Sequence, residues 1–148
     1  MEATRPSHDT YFLSMLKLVA SRSTCARRKV GAIIVSKDNH VLATGYNGGP
    51  RDFDHCIDKP CPGAEDKSGN SERCLAVHAE INALLQCQDI TKADKMYTSV
   101  MPCFACAKAI VNTAIKEIVC VEAYPDTRGA QLLHESKIVL RCLLLYKS

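Results

Sequence analysis

The fold is decided between residues 76 and 122, where the chain reads AVHAEINALLQCQDITKADKMYTSVMPCFACAKAIVNTAIKEIVCVE. Composition and apolar spacing predict helices over residues 76–87 and 103–114. Each helix is followed by a segment that predicts a short strand, over residues 95–100 and 116–122. Helices that alternate with strands in this way indicate an α/β protein with a layered sheet.

The flanking sequence extends the same pattern. Upstream, a helix is predicted over residues 9–22, and a hairpin of two strands over residues 30–36 and 41–46. Downstream, a short helix over residues 127–135 precedes a final strand over residues 137–146. The sequence contains no internal repeat and no low-complexity tract, and its length is that of one ordinary domain, so we expect one domain over residues 1–148.

Composition limits the classes of function. Net charge is +3, from 19 basic and 16 acidic residues, which argues against a dedicated nucleic-acid binder and is compatible with a small anionic substrate. Residues 1–10 have no apolar core, so no signal peptide is expected. The longest apolar run, residues 138–146, is interrupted by Arg141 and is too short to cross a bilayer. We therefore expect a soluble, cytoplasmic protein with no membrane or nucleic-acid partner.

Two short motifs stand at the starts of the two central helices. The first is His78-Ala79-Glu80, and the second is Pro102-Cys103 with Cys106 three residues later. Right-handed crossovers bring both helix N-termini to one edge of the sheet. Imidazole and thiolate are zinc ligands, and a catalytic zinc site uses three protein ligands and one water. We predict that His78, Cys103 and Cys106 hold zinc.

Glu80 follows His78 by two residues, so it should not share the ligand's helical face. It can instead reach the water and the substrate as a proton carrier. Cys-x-x-Cys alone could be a redox pair, half a structural zinc site or two core cysteines. The ordered combination His-x-Glu…Pro-Cys-x-x-Cys is the signature of zinc deaminases.

At these residues the sequence resembles the cytidine deaminase superfamily, and within it the deoxycytidylate (dCMP) deaminases. The resemblance covers nearly the whole chain. It is carried by residues 25–35 (CARRKVGAIIV), 44–50 (TGYNGGP), 77–85 (VHAEINALL) and 99–110 (SVMPCFACAKAI). It implies a three-layer α/β/α sandwich with a five-stranded mixed sheet. It also implies hydrolytic conversion of dCMP to dUMP with release of ammonia, which feeds thymidylate synthesis, and action on dCTP as a further possibility.

The resemblance also implies roles for substrate-binding residues. Glu80 moves protons to N3 of the base and to the leaving amine. Asn47 holds the nucleoside, the backbone N–H of Ala79 holds the base carbonyl, and Tyr124 closes over the nucleotide. Asparagine before glycine is also a common turn residue, which is the alternative for Asn47.

A phosphate group on the substrate requires a cation. Basic residues cluster before the first strand: Arg22, Arg27, Arg28 and Lys29. As a group they make a phosphate site plausible, and we expect Arg22 and Arg27 to supply it. A solvated basic stretch is the alternative for any one of them.

The resemblance further implies regulation and assembly. Members of the family are commonly homo-oligomers, with a hexamer favoured here. They are activated by dCTP with Mg²⁺ and inhibited by dTTP. The effector site is expected in the loop over residues 45–50.

Nine cysteines in a chain without a secretory signal favour metal binding over disulfides. A polar loop over residues 51–71 is too long to order itself without function or a tether. Four cysteines lie in or beside it and predict a second, structural zinc: Cys25, Cys56, Cys61 and Cys74. His55 could replace one ligand, with Cys61 the first candidate for replacement, and free thiols are the alternative. Cys87, Cys120 and Cys142 are interpreted as core residues.

Two rival functions share parts of the pattern. A tRNA adenosine deaminase carries the same signature, but we expect it to be more basic and to lack the cysteine-bearing insert. A zinc-ribbon-like binding module could be built on Cys-x-x-Cys. Glu80 argues against the module, because a structural site needs no carboxylate beside an open zinc position.

Overall fold

The computed structural model describes residues 4–67 and 72–144. Four helices and five strands are named within these residues: α1 (His8–Ala20), β1 (Gly31–Ser36), β2 (Val41–Tyr46), α2 (Ala79–Gln86), β3 (Ala93–Val100), α3 (Phe104–Ile110), β4 (Glu117–Glu122), α4 (Arg128–Glu135) and β5 (Val139–Leu144). A single 3₁₀ turn, Ile90–Lys92, precedes β3. None of the described helices combines the length and the hydropathy that crossing a membrane requires.

The five strands form one mixed sheet in the order β2-β1-β3-β4-β5. Strand β1 is antiparallel to both β2 and β3, whereas β3, β4 and β5 are mutually parallel. The predicted fold class is therefore confirmed. The last four residues of the predicted loop and the last two of the predicted final strand lie outside the described residues.

Two helix boundaries differ from the prediction by three residues or more. Helix α2 begins at Ala79, three residues later than predicted, because His78 has extended backbone angles (φ −66°, ψ 150°) and is the N-cap. Helix α3 ends at Ile110, because the Ile110 carbonyl accepts from both the N–H and the hydroxyl of Thr113. These local hydrogen bonds close the last turn four residues before the predicted end.

The sheet buries both of its faces, and alternate residues of each strand point to opposite sides. On one face, α1 packs Phe12 and Leu16 against Ile33, Tyr97 and Val119. On the other face, α2, α3 and α4 cover a second cluster, whose largest fully buried members are Ile34, Met96, Ile110, Ile118 and Leu133. The result is the predicted three-layer arrangement.

Two glycines let helices approach the turns that bear the motifs. A Cβ atom on Gly45 of β2 would lie 2.3 Å from the Ala79 carbonyl oxygen and 2.4 Å from the Ala83 nitrogen. A Cβ atom on Gly129 of α4 would lie 2.4 Å from the Pro102 carbonyl oxygen. A side chain at Gly45 would push α2 away from the sheet, and one at Gly129 would push α4 away from the turn that bears Cys103.

Candidate active site

Strand polarity explains why the two motifs meet. Because β2 and β3 are each antiparallel to β1, they run in the same direction and end at the same edge of the sheet. Helix α2 begins at this edge with His78 as its N-cap, and α3 begins there with Cys103 as its N-cap. Cys106 lies in the first turn of α3, on the same side as Cys103.

The three predicted ligands form one compact group. The Nδ1 atom of His78 lies 3.3 Å from the Sγ of Cys106 and 3.4 Å from the Sγ of Cys103. All three donor atoms lie within 4.8 Å of one another. One imidazole and two thiols, without a carboxylate in the group, suit zinc, and three protein ligands leave a position for water. These residues therefore fit a catalytic zinc ion.

The electrostatics of the trio favour a thiolate at Cys103. Contact with the Cys106 thiol, and then with the His78 imidazole, lowers the pKa of Cys103 to about 4. The same contact with Cys103, together with burial, raises the pKa of Cys106. The Cys103 contact also raises the pKa of His78. A metal ion would bind the preformed thiolate and displace the proton that Cys106 retains.

Glu80 lies beside the trio in the first turn of α2 and is 5% exposed. Burial raises the pKa of its carboxyl, although contacts with Cys106 and His78 oppose this effect. A buried carboxyl with a raised pKa is suited to accept a proton and return it.

A single cavity contains both the chemistry and the predicted substrate residues. His78, Cys103 and Glu80 line one part of it. Asn47 and Tyr124, predicted to hold the nucleotide, line the same cavity. Ala79 is fully buried, and its backbone N–H belongs to the first turn of α2, where N–H groups have no partner within the helix.

Asn47 is held rigidly in the cavity wall. Its Oδ1 accepts from the Val30 N–H at 2.8 Å, and its Nδ2 donates to the Arg28 carbonyl at 2.7 Å. The loop behind it is bridged to the His78 segment by paired backbone hydrogen bonds between Gly48 and Val77. An amide nitrogen carries two hydrogens, so Nδ2 can also donate toward a bound sugar.

The residues of the basic cluster before β1 make different contacts. Arg22 and Lys29 are exposed and do not line the cavity. Arg27 donates to the carbonyls of Gly63 at 3.0 Å and Lys67 at 2.9 Å, which ties down the long loop. Arg28 is the arginine that lines the cavity. The charge pattern predicted the segment, but it contained no signal that distinguishes Arg28 from its neighbours.

The four loop cysteines converge near the cavity wall. Cys25 and Cys56 are buried, and the loop is fixed to the Cys25 segment by the Ile57 N–H, which donates to the Thr24 carbonyl at 3.0 Å. The thiol of Cys61 contacts those of Cys56 and Cys74, and Cys74 also lines the active-site cavity.

Two further observations bear on this group. Across residues 4–67 and 72–144, no set of three donors other than the trio of His78, Cys103 and Cys106 meets the 4.8 Å spacing. The side chain of His55 is exposed and faces Asp58, with 3.8 Å between Nδ1 and Oδ2.

Cys120 and Cys142 are paired in register between β4 and β5, and Cys120 is fully buried.

Residues 6–122 match the family model described as the cytidine and deoxycytidylate deaminase zinc-binding region. The chain belongs to this family. The match spans the first strand, the cavity loop, both motifs and Glu122.

Individual relatives agree with the family match. A deoxycytidylate deaminase of Mycobacterium phage D29 is 43% identical over 124 residues, which cover 78% of this chain and 95% of the relative. The deoxycytidylate deaminase of Saccharomyces cerevisiae is 40% identical over 141 residues, covering 93% of this chain. The chain spans only 45% of the length of that yeast relative and 44% of the one in Schizosaccharomyces pombe. A crystal structure of dCMP deaminase from cyanophage S-TIM5 with dCMP and dUMP superimposes with a TM-score of 0.74 at 29% identity, covering 95% of this chain and 99% of that one.

Proposed function

We propose that the protein catalyses the zinc-dependent hydrolytic deamination of dCMP to dUMP, with release of ammonia. The observation that carries the proposal is one cavity lined by two members of the His-Cys-Cys donor group, a buried carboxyl and an arginine. The donor group and Glu80 supply deamination chemistry, and the arginine suits a nucleotide phosphate. The names of the relatives, and the dCMP and dUMP bound to the cyanophage enzyme, support the same substrate.

The chain's own residues divide the work of the reaction. Zinc, when bound by His78, Cys103 and Cys106, supplies a water molecule of lowered pKa. Glu80 takes one proton from the attacking water and delivers it to N3 of the cytosine. It then takes the second proton from the hydroxyl formed at C4 and delivers it to the amine, which leaves as ammonia while C4 becomes a carbonyl. The Ala79 N–H binds the base carbonyl and Asn47 binds the sugar. Tyr124, across the cavity, excludes water from the base.

The direct test is a substrate panel. Zinc-loaded protein is incubated separately with dCMP, dCTP, deoxycytidine, cytidine and cytosine, and loss of the cytosine absorbance is followed. We expect dCMP to be the preferred substrate. Zinc-loaded protein that deaminates none of the five would contradict the proposal. Selective turnover of adenosine in a tRNA anticodon stem-loop would assign the chain to the adenosine-deaminase branch instead.

We propose, from the family resemblance, that the protein is a cytoplasmic homo-oligomer, with a hexamer favoured, whose product feeds thymidylate synthesis. On the same basis, dCTP with Mg²⁺ activates it and dTTP inhibits it through the loop at residues 45–50. Added dCTP and Mg²⁺ should convert a sigmoidal dependence on dCMP into a hyperbolic one, and dTTP should reverse this. A monomer by light scattering that responds to neither nucleotide would contradict the regulatory proposal.

We also propose a second, structural zinc at Cys25, Cys56, Cys61 and Cys74. The Cys61 N–H donates to the Sγ of Cys56 at 3.4 Å. The backbone N–H groups of Leu75 and Gly63 lower the pKa of Cys61, whereas burial raises the pKa of Cys74. A lowered pKa favours the thiolate, the form that binds zinc. Binding would draw the four sulfurs into a closed tetrahedral site and fasten a loop that has little apolar surface to bury. The exposed position of His55 favours four cysteine ligands over a histidine replacement.

A further inference from the structure

Arg28 borders two separate concave surfaces. The residue lines the active-site cavity, and it also lines a groove between α1 and the C-terminal ends of β3 and β4 on the opposite face of the sheet. Its backbone is fixed, because the Arg28 carbonyl accepts the 2.7 Å hydrogen bond from Asn47. A hydrogen bond therefore links the residue expected to hold the sugar directly to the backbone of the arginine at the cavity.

Glu122 holds the Arg28 side chain from the groove side. Its Oε2 lies 3.0 Å from the Arg28 Nη2, and Glu122 lines the groove but not the cavity. The backbone of Glu122 is itself fixed at the end of β4, where its carbonyl accepts from the Met101 N–H at 2.8 Å. A guanidinium has five N–H donors in a planar fork, so it can bind this carboxylate and a phosphate together.

The neighbouring cations are directed elsewhere. Arg27 is engaged by the carbonyls of Gly63 and Lys67 in the long loop. Arg22 and Lys29 are exposed and do not line the cavity. Of the basic cluster, Arg28 is the member that lines the cavity shared with Asn47 and Glu80.

We propose that Arg28 binds the 5′-phosphate of the substrate and that Glu122 is a positioning residue that aims it. This inference rests on the proposed function. Two effects of Glu122 oppose each other: it orients a long, flexible side chain, and its negative charge repels the phosphate. The two side chains are 34% and 37% exposed, so solvent screens the repulsion. Orientation of the guanidinium therefore dominates.

Arg28→Gln tests the phosphate contact. It should lower kcat/KM for dCMP about 10- to 100-fold, the range for loss of a hydrogen bond to a charged group, and lower kcat/KM for deoxycytidine much less. If deoxycytidine turns over too slowly to measure, the affinities for dUMP and deoxyuridine are measured by calorimetry instead. Their ratio reports the same preference for the phosphate. Lys17→Gln, which removes an equal charge from the same groove, should change neither value.

Glu122→Ala tests positioning. It should raise KM for dCMP about fivefold with little change in kcat, and Glu122→Gln, which can still accept from Arg28, should restore most of the affinity. The double variant Arg28→Gln/Glu122→Ala should match Arg28→Gln alone, because Glu122 acts through Arg28.

The outcomes separate the two proposals. Wild-type protein that does not deaminate dCMP refutes the proposed function. Active wild-type protein whose preference for dCMP over deoxycytidine survives Arg28→Gln refutes the phosphate contact. A Glu122→Ala variant with unchanged or lowered KM for dCMP refutes positioning. If Arg28→Gln does not fold, as judged by zinc content and thermal unfolding, Arg28→Lys is used to measure the preference for dCMP over deoxycytidine. A lysine ammonium cannot bind the Glu122 carboxylate and the phosphate together as a planar guanidinium can.

Discussion

His78 and Cys106 are 28 residues apart in the sequence, yet the Nδ1 of one lies 3.3 Å from the Sγ of the other. Neither helix could build this contact alone, because His78 ends an extended segment and Cys106 belongs to the first turn of the next helix. The common direction of β2 and β3 brings the two turns to one edge, and Gly45 and Gly129 allow the close approach. The zinc site is therefore a product of the sheet.

Replacing Glu80 with glutamine should abolish deamination and leave zinc bound. A general acid–base group contributes roughly 10²- to 10⁴-fold, and here one carboxyl serves several proton transfers, so a loss at the upper end is expected. Turnover of dCMP and zinc content by elemental analysis are measured on the same preparation. Glu135→Gln, on the exposed surface of α4, is the matched control. Loss of zinc from Glu80→Gln would show that Glu80 is a ligand.

Much of the fold could be predicted because its signals are local. The apolar spacing and the two motifs identified each helix and strand with boundaries mostly within a few residues. The start of α2 was predicted too early because Ala76 and Val77 are apolar and continue the helical pattern. Their backbone is instead held extended by the bridge from Val77 to Gly48, a contact between segments 29 residues apart that periodicity cannot report.

The basic segment before β1 shows a different limit of sequence-based prediction. Charge in the sequence identified a cationic segment, and Arg22 and Arg27 were expected to reach the substrate. The structure directs Arg27 to the carbonyls of the long loop and Arg28 to the cavity. Which of two adjacent arginines faces the cavity depends on how Asn47 fixes the backbone before β1. That hydrogen bond has no counterpart in composition or spacing.

Cys56→Ser should lower the metal content from two zinc ions per chain to one. Three remaining thiolates cannot close a tetrahedral structural site, so the loop should lose its tether and the unfolding temperature should fall. Elemental analysis of protein purified without chelator measures the stoichiometry. Cys87→Ser, a partly buried cysteine packed at the end of α2, is the control and should retain both ions. One zinc per chain in the wild-type protein would contradict the second site.

Gly129→Ala should destabilise the protein and weaken zinc binding. Alanine favours a helix by about 1 kcal/mol over glycine, but overpacking against backbone costs about 1–3 kcal/mol. The new Cβ would lie 2.4 Å from the Pro102 carbonyl oxygen, which belongs to the turn that presents Cys103, so the clash should prevail. Thermal unfolding and zinc affinity are measured together. Gly49→Ala, whose Cβ would approach nothing closer than 3.7 Å, should unfold near the wild-type temperature.

An ion-pair network, away from the end of the sheet that bears the two motifs, should make the free energy of unfolding depend on pH. Arg141 binds Asp9 at 2.8 Å and Glu117 at 2.7 Å, and Lys95 binds Glu117 at 3.0 Å. Contact with Arg141 lowers the pKa of Asp9. Burial alone would raise the pKa of Glu117, but Lys95 and Arg141 outweigh it and lower the pKa. The network ties the start of α1 to β4 and β5.

Because both folded-state pKa values lie below the unfolded ones, the network contributes its full stabilisation above the unfolded pKa values, near pH 4–5. That contribution is lost as the pH falls through the folded pKa values. Asp9→Asn should therefore lower the free energy of unfolding at pH 7, and its difference from wild type should shrink toward pH 3. Urea denaturation at several pH values measures this difference. In an Arg141→Gln background the effect of Asp9→Asn and its pH dependence should both diminish, because the cation that lowers the pKa of Asp9 is gone. A difference that stays constant from pH 7 to pH 3 would show that Asp9 acts through its hydrogen bond from Tyr97 and not through its charge.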